Sequence, residues 1–200
     1  MPLIFPAHGR DPDRVSSRPN ASVSPVVTYG LLAAWTVHDL EEVLTFERFT
    51  RTAVPRLRES LPTVPERVWR RLESTTPEEF TAAVGIVGVF MAAASAAGQA
   101  SGGRSKYFQL MLAGFGLHTI GHVMSAVATR GYTPGLVTSP IVAAPFAFWA
   151  IRRLKQADVW QPITADDALP GTALALAVFT GSHTLARSLN RVRREPQQTR

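Results

Sequence analysis

Four stretches of the chain, 80–103, 107–129, 131–151 and 168–186, contain no Asp, Glu, Lys or Arg. Each is about as long as the roughly 20 residues that an α-helix needs to cross a hydrocarbon core at about 1.5 Å per residue. A buried helix of a soluble bundle keeps a polar stripe every third or fourth residue, and "FTAAVGIVGVFMAAASAAGQA" has none. Its small residues, among them Gly85, Gly88, Ser95 and Ala96, suit close helix approach in lipid. A fifth stretch, 25–46, is apolar through Val37 and then reads "HDLEE". The pattern predicts an all-α, polytopic transmembrane helical bundle of about five spans, near 25–46, 80–100, 107–129, 136–154 and 168–186. Such a chain sits multi-pass in the cell membrane, with the lipid bilayer as its first partner and a homo-oligomer as a second.

Composition narrows the function classes. With no cysteine, disulfides, thiolate zinc sites and cysteine nucleophiles are excluded together. The net charge of +6 does not point to nucleic acid, because nineteen Arg and two Lys are scattered between apolar runs instead of forming one aromatic-laced face. The opening "MPLIFPAHGRDPDRVSSRPNAS" is Pro-interrupted and then charged, which predicts a disordered tail over 1–22 and no secretory signal. A basic tail is expected over 187–200. Counting Lys and Arg, thirteen fall in the first loop, third loop and C-terminal tail and eight in the other three segments. That bias predicts an external N-terminus and a cytoplasmic C-terminus.

The 47–75 connection carries its own signals. Thr63 and Glu66 have the spacing of a capping box, with Val64, Val68 and Leu72 on one face and Arg67, Arg70 and Arg71 around the others. A short amphipathic helix on the membrane surface is expected. In "TPEEF", Thr76 as N-cap, Pro77 at the first helical position and Glu79 three residues on from Thr76 start the next span.

The charges in "HDLEE" set the functional question. His38, Glu41 and Glu42 share a helix face, while Asp39 points roughly sideways. A carboxylate at bilayer depth costs on the order of 2.5 to 3.5 kcal/mol, so the group should face the bundle interior and find partners there. "LHTIGHVM" offers His118 and His122, four apart on one face. Counted along parallel helices at about 1.5 Å per residue, His38, His118, His122 and His183 all lie about 17 to 22 Å into their spans. Four imidazoles could share one layer, with the two glutamates at its edge. Imidazole and carboxylate together suit a divalent transition metal such as zinc, iron or manganese. The alternative is a hydrogen-bonded network that only fixes helix register.

"GYTPGLVTSP" supplies a second signature. Pro134 and Gly135 fit the two central positions of a type II turn, the glycine taking the positive φ. Pro140 and Pro145 are expected to kink the span that follows. "HDLEE", the later histidine pair and "YTPG" together resemble the HXXEE family of small multi-pass membrane proteins, which has no established function. The resemblance covers residues 28–151, within an expected membrane domain at 23–151. It places the family motif on His38, Glu41 and Glu42, the turn motif on Tyr132, Pro134 and Gly135, and the further histidine on His122 or His118.

Three functions compete. One is an intramembrane metal-dependent hydrolase acting on a lipid or membrane-borne substrate. In it His38, Glu41 and His122 ligate the metal, with His118 a further candidate, and Glu42 serves as general base. The second is proton or metal-ion transport or sensing. The third is a structural membrane partner with no catalysis.

Overall fold

The computed structural model describes residues 22–194, so the expected N-terminal tail, Ser22 apart, and the last six residues of the chain lie outside it. Every regular element among the described residues is helical. Helix α1 (Pro25–Thr52) is followed by two short helices, α2 (Val54–Ser60) and α3 (Glu66–Ser74). Then come α4 (Pro77–Ala100) and α5 (Lys106–Thr129), a π-helical turn (Ser139–Ala143) running into α6 (Ala144–Gln156), and α7 (Ala165–Arg194).

The starts of the long helices follow from their caps. Ser24 accepts from the Val26 amide ahead of Pro25, and Ser105 accepts from the Phe108 amide. Thr76 accepts from Glu79 N at 3.2 Å, as expected. The Glu79 carboxylate does not close the box, because it is taken by Arg71 and Arg187 at 3.1 Å each. The expected Thr63–Glu66 box does not form either. Pro65 stands at the N-cap, and Glu66 pairs with Arg58 of α2, whose guanidinium also holds Glu73. The buried side chain of α3 is Trp69, while Val68 is exposed, so the helix is rolled from the predicted face.

Helices α1, α4, α5 and α6 form a four-helix arrangement in which each packs on the next, and α7 lies outside along α4. The apolar core fills the half of the bundle around the start of α1. Leu31 and Trp35 meet Met91 and Ala94 of α4, Phe108 and Leu112 of α5 and Ala150 and Leu154 of α6 there. Two polar knots lock that end. Thr28 donates to Gln99 at 2.7 Å, and buried Gln109 donates to the Gly103 and Val159 carbonyls while accepting from Gln161 N, each at 2.8 Å. With every polar atom of Gln109 matched, burying it adds rigidity without an unpaired group. The opposite half of α1, from His38 onward, is left for the polar residues.

Two helices, α4 and α5, are long and apolar enough to cross a membrane. Each turns one face into the core, with Met91, Phe108, Leu112 and Phe115 buried, and leaves large apolar side chains on the other: Val89, Leu117, Ile120, Met124 and Val127 are exposed. Exposed apolar residues continue on α1 with Val37, Leu40 and Leu44 and on α6 with Phe148.

Candidate metal centre

His38 is fully buried on α1, and the groups facing it come from α5 and from the 132–138 connection. His118 and His122, one helical turn apart, present their Nε2 atoms to the same point, 2.7 Å from each other. His38 Nε2 lies 3.3 Å from His122 Nε2. Glu42 Oε1 completes the group at 3.1 Å from His38 Nε2, 2.9 Å from His122 Nε2 and 3.5 Å from His118 Nε2. The three rings stand edge to face at interplanar angles of 79 to 90°. One nitrogen of each ring and one carboxylate oxygen fall within 4.8 Å of one another.

The second ring nitrogens fix the proton positions. His122 Nδ1 lies 2.7 Å from the Pro134 carbonyl. A carbonyl only accepts, so Nδ1 carries the hydrogen, and in the neutral ring Nε2 turns a lone pair into the cluster. Thr138 Oγ1 donates to Glu41 Oε2 at 2.6 Å, which leaves it to accept from His38 Nδ1 at 2.8 Å. In the neutral ring His38 Nε2 points a lone pair inward as well. Glu42 Oε1 is buried, and the groups around it are the three Nε2 atoms, 2.9 to 3.5 Å away. Neutral rings and the carboxylate set electron pairs facing one another, an arrangement that either a bound cation or a proton on one imidazole relieves. Tetrahedral ligands at 2.0 to 2.1 Å from zinc are about 3.3 to 3.4 Å apart; five of the six spacings here run from 2.7 to 3.5 Å, and all lie within 4.8 Å.

The two glutamates divide the work differently from the expected ligand Glu41 and base Glu42. It is Glu42 that faces the imidazoles, and Glu41 is spent on the connection. Glu41 accepts from Tyr132 Oη at 2.5 Å, Val137 N at 3.1 Å, Thr138 N at 2.7 Å and Thr138 Oγ1. At about 100° per residue, Glu42 lies some 40° from His38 on the helix wheel and Glu41 some 60° to the other side. The His118 and His122 pair stands on the Glu42 side. Partial burial, and then the Glu41 carboxylate, hold the Tyr132 phenol above its usual range, so it stays protonated and donates.

The turn forms a wall of the site. Thr133 O accepts from Leu136 N at 3.1 Å, with Pro134 and Gly135 between them and Gly135 at φ +79°. A Cβ on Gly135 would stand 2.7 Å from His122 Cε1 and 2.9 Å from Glu42 Oε1. Glycine here answers both the backbone angle and the closeness of the cluster.

His183 does not join the other three imidazoles. Helix α7 packs chiefly along α4 and meets α5 near its own start, where Asp167 pairs with Lys106, so His183 lies 6.2 Å from the Phe80 ring, beside Arg71 and Glu79. Asp39 is buried next to the site with Oδ2 unmatched among the described residues. Sequence reasoning missed Thr138, the residue that joins Glu41 to His38. Its only signal is a hydroxyl three residues after the Pro134–Gly135 turn.

Among the described residues, the fold and the site define an all-helical protein with two helices long and apolar enough to cross a membrane and a His/Glu group that could hold a metal ion. Residues 29–150, more than half of the chain, match the family described as protein of unknown function with HXXEE motif, and the chain belongs to that family. No curated protein and no solved structure matches it.

Proposed function

We propose that this protein is a multi-pass membrane protein in which His38, His118, His122 and Glu42 bind one divalent transition metal, and that it hydrolyses a lipid or another membrane-borne substrate. The observation that carries the reading is the convergence of the His38, His118 and His122 Nε2 atoms on Glu42 Oε1, with Nδ1 of His38 and His122 held on the far side by Thr138 and Pro134. Such outer partners orient ligating imidazoles and raise their basicity. A metal bound there lowers the pKa of a coordinated water toward neutrality and polarises a carbonyl or phosphoryl oxygen. His38 is sealed at 0% exposure while the His118 side chain is 53% exposed, so His118 marks the open side through which substrate approaches. Glu41 positions the connection and is not free to act as a base. Five spans fit the outward apolar surfaces of α1 and α6, since His38, Asp39 and Glu42 of α1 turn inward and leave Val37, Leu40 and Leu44 outside.

A second reading, metal sensing or storage without hydrolysis, is favoured by the ligand count. Three imidazoles and a carboxylate already fill a tetrahedron, the pattern of closed zinc sites.

The test uses full-length protein in nanodiscs, challenged with carboxylic-ester and phosphate-ester lipids. Hydrolysis that disappears in His38→Ala and Glu42→Gln, while both variants stay helical and monodisperse, supports the hydrolase. Metal-loaded protein that turns over none of these lipids supports the second reading.

A further inference from the structure

Beyond Tyr132, on the side away from the His/Glu group, the ends of α1 and α5 and the start of α2 enclose a cavity of about 520 Å³. Arg48, Arg56 and Arg130 line it, and no Asp or Glu does. Neither Arg48 nor Arg130 makes an ion pair among the described residues. The nearest acid in sequence, Glu47, is taken by Arg51 at 3.2 Å. The hydroxyl donors around the cavity are already used, Tyr132 on the Glu41 carboxylate and the others on backbone. Thr45, Thr52 and Thr129 donate to the carbonyls of Glu41, Arg48 and Ser125 at 2.7 to 2.8 Å. The donors left for a ligand are guanidinium groups, whose planar forks suit phosphate. Phe49 and Leu57 add an apolar wall.

Arg130 carries a second signal. It sits at φ +48°, ψ +39° as the C-cap of α5, a left-handed conformation that costs a branched-off Cβ and that glycine adopts freely. The helix end does not need an arginine there, whereas the cavity uses one. The position relative to the site is also defined. Thr45 and Arg48 continue the face of α1 that carries Glu41 and Glu42, and Arg48 lies about 9 Å beyond Glu42 along the helix at about 1.5 Å per residue. One small headgroup spans that distance.

We propose that this cavity binds a phosphate group of the molecule presented to the His/Glu centre, so that the substrate class is a phosphate-bearing lipid or a soluble phosphate ester. The inference rests on the functional reading above and names its substrate. All three arginines belong to the first and third loops, the side where charge bias predicts cytoplasm, and basic pockets between helices on that side bind anionic headgroups.

Binding is measured on full-length protein by native mass spectrometry with dioctanoyl phosphatidate, dioctanoylglycerol and inorganic phosphate. Phosphatidate is expected to bind at least tenfold more tightly than dioctanoylglycerol, with Arg48→Gln and Arg130→Gly each weakening it about tenfold. Arg130→Gly relieves the backbone, so its loss of binding is not a loss of folding. Displacement of phosphatidate by inorganic phosphate at comparable concentration supports a soluble phosphate ester; displacement only by a second phosphatidate supports a lipid. Equal binding of phosphatidate and dioctanoylglycerol, or phosphatidate binding unchanged in both arginine variants, overturns the proposal. His122→Ala keeps the two readings apart. Metal absent from wild type with phosphatidate binding intact strikes the metal centre alone, and metal present with no phosphate preference strikes the cavity alone.

Discussion

The Nδ1–H of His38 donates to Thr138 Oγ1 across 2.8 Å, and the same hydroxyl donates onward to Glu41. Thr138 thus couples the buried imidazole of α1 to a carboxylate one turn along the same helix. Thr138→Val keeps the shape and removes both bonds. It should lower thermal stability by about 1 to 3 kcal/mol through the unmatched Glu41 oxygen and imidazole. Metal affinity should fall about 10- to 100-fold, the usual cost of losing an outer partner. Thr138→Ser should restore most of both, as read by competition with a fluorescent chelator.

Gly135→Ala should be severe at the site. The positive φ and the 2.7 Å approach to His122 Cε1 both oppose a methyl group. The substitution is expected to abolish metal retention and to lower the melting temperature. Gly131→Ala, where an added Cβ meets only the Thr129 carbonyl at 3.7 Å, should retain metal at the wild-type level.

Glu79 is buried and held by two guanidinium groups, Arg71 of α3 and Arg187 of α7. Removing either arginine should leave the other to neutralise it. Removing both strands a buried carboxylate, and destabilisation of about 3 to 5 kcal/mol is expected in denaturant unfolding. His183→Ala, next to this group, should leave the metal content untouched.

The Lys106 ammonium lies 2.7 Å from Asp167, and Thr164 adds its amide and hydroxyl. Lys106 first, and then Thr164, hold the Asp167 carboxyl at about 2, below its ordinary 3.8. Because the folded value is the lower one, the contribution of this contact is present above pH 3.8 and disappears as pH falls toward 2. Amide protection at Thr164 should drop across that window, and Asp167→Asn should show the low protection already at neutral pH.

Much of the site was readable from spacing. A histidine pair four apart, a histidine and two glutamates on one face, and a Pro-Gly turn place the participants on α1, α5 and the connection. Which glutamate joins the imidazoles was not readable. The wheel puts both within about 60° of His38, and the choice depends on how α1 is rolled against α5, set by Leu31, Trp35 and Phe115 packing far along the chain. Whether His183 joins was not readable for a related reason: depth along parallel helices is countable, but which neighbour α7 packs on is not. Pro140 falls in the first turn of its helix, where no donor is missed, and the π-helical turn ends at Ala143, immediately ahead of α6 and Pro145. That irregularity leaves no separate mark in the sequence.

The central claim is tested most directly by elemental analysis of full-length protein purified without added metal, beside His38→Ala, His122→Ala and Glu41→Gln. The account predicts about one equivalent of a single transition metal per chain, lost in both histidine variants and retained in Glu41→Gln, whose side chain lies outside the ligand group. Wild-type protein that is folded and free of metal, or metal that survives both histidine substitutions, contradicts it.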